Sequence, residues 1–100
     1  MAFSGGSYED VARWLWNFLT AHAKREDPRF EAELEAGDER EGKSYAARLR
    51  FGTQLDSPSE FDYKDVANNR GSLAWCEQLA SQTRARARRL LAAARSTGAA

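Results

Sequence analysis

The chain has 100 residues, 15 Lys+Arg against 15 Asp+Glu, and a hydrophobic fraction of 42%. That length and composition fit one globular domain over 1–100, with 1–6 and 96–100 expected as flexible ends, and exclude both a disordered tail and a membrane-spanning apolar run. A single Cys76 and a single His22 exclude an internal disulfide and a multi-cysteine or His-rich metal centre, so no metal or cofactor is expected.

The opening Met-Ala-Phe-Ser-Gly-Gly-Ser lacks the basic and apolar segments of a signal peptide. Together with the Arg- and Ala-rich composition, this leads to the expectation of a cytoplasmic protein of bacterial type. Charge is uneven along the chain: residues 1–65 carry nine basic and fourteen acidic side chains, and residues 66–100 carry six arginines and one acid, Glu77. Such asymmetry marks either a basic surface for an anion or two halves that neutralise each other within the fold or a dimer.

Ser7 and Asp10 have the spacing of a capping box, which predicts a helix from Tyr8. Tyr8, Val11, Ala12, Leu15, Phe18, Leu19 and His22 follow helical spacing on one face. Trp14 extends that face on one flank and Trp16 on the other, giving an apolar arc of roughly 220° where a surface helix needs about 100°. An arc so wide predicts cover from more than one side. A second copy is the favoured cover, with Trp14, Trp16 and Phe18 as candidate interface residues. The competing reading wraps the helix in its own hairpin and C-terminal helix. Pro28 is expected to end the helix. His22, near that end, reads as a structural histidine whose cationic form would suit the helix C-terminus.

Phe30, Ala32, Leu34 and Ala36 alternate with Glu31, Glu33 and Glu35, and Tyr45, Ala47, Leu49 and Phe51 alternate with Ser44, Ala46, Arg48 and Arg50. Period two with turn residues between predicts an antiparallel hairpin. Charge and aromatic matching sets the register: Glu31 opposite Arg50, Glu33 opposite Arg48, Asp38 opposite Lys43, Phe30 opposite Phe51. The charged rows then form a ladder on the solvent face rather than a catalytic or metal cluster. Two strands alone are marginal. A third is expected from Thr53–Asp56, from Phe61–Tyr63, or from a dimer mate.

Ser57-Pro58-Ser59-Glu60 has the signature of a helix start and predicts a short helix through Phe61 and Val66. Asn68-Asn69-Arg70-Gly71 breaks the chain, and Ser72 can cap a long helix to about Arg95. Leu73, Cys76, Ala80, Thr83, Ala87, Leu90, Leu91 and Ala94 are assigned to its apolar side. Cys76 there is a small core residue rather than a nucleophile. Arg84, Arg88 and Arg95 share one stripe and are the candidate anion contacts; Arg86 and Arg89 lie elsewhere on the helix. The expected architecture is a small α+β domain in α-β-β-α order, with the helices on one face of an antiparallel sheet. The expected function is a protein–protein interaction or assembly module acting as a homodimer. The alternative is a nucleic-acid-associated protein using Arg84, Arg88, Arg89 and Arg95. An enzyme ranks third, because the acid–base inventory lacks a convergent set.

Overall fold

The structure, a computed structural model, describes residues 6–35 and 39–98, with side chains to Arg95. Among the described residues the chain forms three helices and a four-stranded antiparallel sheet, an α+β domain. The elements are α1 (Tyr8–Lys24), β1 (Phe30–Glu35), β2 (Ser44–Phe51), β3 (Gln54–Leu55), β4 (Ser59–Asp62), α2 (Tyr63–Asn69) and α3 (Leu73–Gly98).

Ser7 caps α1, its Oγ accepting from the Asp10 N–H at 3.1 Å. The helix closes at Lys24, with Arg25 as its cap, a full turn earlier than Pro28 requires. Asp27 then organises the turn into β1. Its carboxylate accepts from the Arg29 guanidinium at 3.0 and 2.8 Å and from the Arg29 N–H at 2.9 Å. The Arg29 side-chain hydrogen bonds, then its backbone bond, hold the Asp27 carboxyl down at about 2.

The hairpin has the predicted register, with Phe30 opposite Phe51, Glu31 opposite Arg50, Ala32 opposite Leu49 and Glu33 opposite Arg48. The expected Asp38–Lys43 pair lies outside the described residues. Phe30, Ala32, Tyr45, Ala47 and Leu49 are buried against the helices. On the open face Arg48 lies 3.4 Å from Glu33 and 2.9 Å from Glu35, and Arg50 lies 3.2 Å from Glu31 and 3.4 Å from Glu33. The ladder is therefore a network in which both arginines share Glu33. Reversing Glu33 to Lys sets it between two arginines and is expected to cost about 1 kcal/mol. Adding Arg48→Glu should recover only part of that, because Arg50 and Glu35 then meet like charges. Full recovery in chemical denaturation would show independent pairs instead.

The third strand comes from both candidate segments of this same chain. Gly52, with φ +64°, turns β2 into β3, pairing Phe51 with Gln54; a glycine in this first turn position fits a two-residue hairpin. The segment from Ser59 is a strand, not the predicted helix. β4 pairs with β2 from Ala47↔Ser59 to Ser44↔Asp62, and α2 starts only at Tyr63, capped by Asp62. The correction has a non-local cause. β1 occupies one side of the eight-residue β2, and the N–H and C=O groups on its other side need partners. Between Arg50↔Leu55 and Ala47↔Ser59 the outer strand has one residue more than β2, so Asp56-Ser57-Pro58 forms a bulge.

The N-terminal end of the core is a cluster of three tyrosines. Tyr8 stacks on Tyr45 at 4.6 Å between ring centroids, and Tyr63 meets Tyr8 edge-on at 5.5 Å. Each hydroxyl donates to a backbone carbonyl: Tyr8 to Ser44 (2.5 Å), Tyr45 to Tyr8 (2.7 Å), Tyr63 to Gly6. Gly6 has φ +107°, a backbone conformation that L side chains rarely adopt, so glycine is favoured there; a Cβ would also come 2.7 Å from the Arg70 guanidinium, which can move aside.

Ser72 caps α3 as expected, accepting from the Trp75 N–H at 3.3 Å. Leu79, Ala80, Thr83, Ala87, Leu90 and Leu91 are buried along it. Leu73, assigned from the sequence to the apolar side, is 75% exposed because it opens the helix ahead of the core. Cys76 is half-buried, its thiol donating weakly to the Arg70 carbonyl at 3.4 Å. Leu91 is the last buried position among the residues whose side chains are described, and 26 residues of helix extend about 39 Å. The final turns therefore run past the core.

Candidate interaction surfaces

The apolar arc of α1 meets its own chain on three sides. Val11, Leu15, Leu19 and Ala23 face the core. On one flank Trp16 and Thr20 reach the outer edge of β1: the Trp16 indole N–H donates to the Ala32 carbonyl at 2.7 Å, and the Thr20 hydroxyl accepts from the Ala32 N–H at 3.1 Å. Candidate interface residue Trp16 is thus engaged in covering a sheet edge. On the other flank Trp14 stacks on Phe18 at 5.0 Å, Phe18 meets His22 at 4.4 Å, and Trp14 approaches Trp75 of α3 at 6.3 Å. These four rings form a row that is only half-buried. Trp75 was not singled out in the sequence, because it falls off the apolar stripe of its helix.

His22 ends this row. Burial first, then Arg25 and Arg84, hold its imidazole below the usual histidine range, and its Nδ1 is buried without a described hydrogen-bond partner. The favourable cationic role expected at the helix end is therefore opposed by the two guanidinium groups.

The three candidate anion contacts lie along the side of α3 that faces the end of α1. Arg84 sits beside His22, and its Nε is buried without a described hydrogen-bond partner. Arg88 is bound to Glu26 at 2.9 Å, which raises its already high pKa. Arg95 is exposed and acts on Asp27 from a distance. Arg88 at least spends its charge inside the chain, as the neutralising reading expects. Arg86 does so more fully, with 2.8 Å to Asp56 and a further bond to the Ser57 carbonyl at 2.9 Å.

α3 also runs beside the outer strand. Two hollows lie between them. One, of about 470 Å³, is lined by the bulge residues Leu55–Ser59 with Arg86, Arg89 and Leu90. The other, of about 270 Å³, is lined by Glu60, Phe61 and Asp65 opposite Trp75, Gln78, Leu79 and Gln82. No group of three His, Cys, Asp or Glu side chains able to hold a metal occurs among the described residues. No described helix is long and apolar enough to cross a membrane. Comparison with known proteins finds no matching family model, no similar curated protein and no similar solved structure.

Proposed function

We propose that this chain is a protein–protein interaction module that works as a homodimer, with the Trp14–Phe18 flank of α1 at the contact. The observation that supports it is the row of half-buried rings, Trp75, Trp14, Phe18 and His22, held at the surface beside one another. Rings presented this way give large contact area with little side-chain entropy to lose, and such groups dominate interface energetics. Trp16 is set apart from the contact because its indole serves the β1 edge. The reading includes a cytoplasmic setting, in which the single thiol of Cys76 stays reduced.

Light scattering at micromolar concentration is expected to give twice the 11.2 kDa chain mass. Trp14→Ala should weaken association by about 2 kcal/mol or more, roughly thirtyfold. Trp16→Ala should instead lower the melting temperature and leave the association constant unchanged. A monomer mass across that concentration range would overturn the reading.

A further inference from the structure

α1 covers the outer edge of β1 only as far as Ala32; Leu34 beyond it, like Glu60 of β4 on the opposite edge, points its N–H and C=O outward without a described partner. On β1, Ala32 turns its N–H and C=O away from β2, and α1 takes up both through Thr20 and Trp16. Phe30, two residues earlier, donates its N–H to the Asp27 carbonyl at 3.1 Å. On β4, the Tyr63 N–H bonds the Lys43 carbonyl at 2.8 Å, and the alternation that follows points the Glu60 N–H and C=O away from β2. No described residue meets either group. An open edge of this kind is a template for another strand. Beside it lies the hollow between Phe61 of β4 and Trp75 and Leu79 of α3.

The geometry points to strand addition at this edge: an extended segment of another protein, alternating basic and apolar residues, lies between β4 and α3. The unpaired backbone of Glu60 calls for an extended chain, which supplies the complementary N–H and C=O. Period two then sends alternate side chains to opposite faces. Those on the helix side enter the hollow against Phe61, Trp75 and Leu79. Those on the open side meet Glu60 and Asp62; Glu60 already holds the Arg40 guanidinium at 2.8 and 3.3 Å and Asp62 caps α2, so a basic residue of the added strand exchanges with Arg40 at Glu60. Charge also decides against a second copy as occupant. Two β4 edges paired with each other would set Glu60 and Asp62 against the same acids, and like charges directly opposite are destabilising. This site goes beyond the homodimer reading, since it uses β4 rather than the Trp14–Phe18 flank.

The test titrates the isotope-labelled full chain with an acetylated, amidated Lys-Val-Lys-Val-Lys peptide and its Glu-Val-Glu-Val-Glu counterpart. The basic peptide is expected to shift the Glu60 amide and Trp75 indole resonances and to bind at least about tenfold tighter than the acidic one. Glu60→Pro removes the outward N–H, keeps every β2–β4 hydrogen bond, and should weaken binding at least about tenfold. Glu60→Lys, which keeps the backbone donor, should reverse the preference between the peptides, and it decides the matter if the proline variant does not fold. Absence of shifts, equal binding of both peptides, or unchanged binding by folded Glu60→Pro overturns the proposal. So does self-association of the chain that Glu60→Pro abolishes, which would assign the edge to a second copy.

Discussion

Arg86→Ala is expected to destabilise the fold by about 3–5 kcal/mol, the range for breaking a buried ion pair from one side. The Arg86 and Asp56 side chains are only 15% and 16% exposed. The guanidinium donates to Asp56 Oδ2 at 2.9 Å through Nε and to the carbonyls of Ser57 and Ala47 through Nη2. Asp56 Oδ1 meanwhile accepts from the Leu49 N–H at 2.6 Å, while the Asp56 N–H donates to the Leu49 carbonyl at 3.1 Å. The pair thus closes the sheet at the bulge between β3 and β4, where regular pairing lapses. Removing Arg86 leaves a carboxylate without its counter-charge beside the core. Asp56→Ala should cost a comparable amount, since it removes the counter-charge of the guanidinium and leaves the Leu49 N–H without its acceptor. The double variant should cost much less than the two losses added together, because either single change already breaks the pair. Urea unfolding measures all three, and single losses below about 1 kcal/mol would place this pair with ordinary surface ion pairs.

Tyr45→Ala should cost a similar amount, about 3–5 kcal/mol, as expected for truncating a buried aromatic side chain. Tyr45 is fully buried and stands among the largest such side chains. Its ring stacks on Tyr8, and its hydroxyl holds the Tyr8 carbonyl in the first turn of α1. Tyr45→Phe keeps the packing and should cost only about 1 kcal/mol, the net worth of one hydrogen bond, because the Tyr8 carbonyl keeps its partner within the helix. Burial first, then the neighbouring tyrosines, raises the Tyr45 pKa well above its ordinary value of 10.0. The protonated phenol is therefore favoured by folding. Its contribution is complete below about pH 10, where the unfolded tyrosine is also protonated, and falls as pH rises above that value. Wild-type stability should decline above pH 10, and Tyr45→Phe should show a shallower decline. Parallel alkaline profiles for the two proteins would contradict this.

Helix α1 and the first hairpin were legible because their determinants are local or pairwise. Ser7 caps from three residues away, and the seven-residue apolar face of α1 is set by helical spacing alone. The β1–β2 register needed only the match of acids to arginines and of Phe30 to Phe51. Each of these is an interaction between residues whose relation the sequence spells out. The Ser57-Pro58-Ser59-Glu60 segment behaves otherwise. Its helix-start signal is real but worth little more than a cap, and the vacant hydrogen-bonding side of β2 outweighs it. The wide arc of α1 likewise announced cover from several surfaces, a second copy or the chain's own hairpin and C-terminal helix, but spacing alone could not choose which residue meets which surface. The β1 edge takes Trp16 and α3 approaches Trp14, both by contacts distant in sequence. Arg84, Arg88 and Arg95 were placed on one stripe by helical spacing, but only the packing of α1 beside α3 brought Glu26 to Arg88 and His22 to Arg84. The sequence by itself determined which side chains share a face, because backbone periodicity is a local property. Tertiary structure decided what each face meets, because buried backbone groups and charges must find partners wherever the folded chain supplies them.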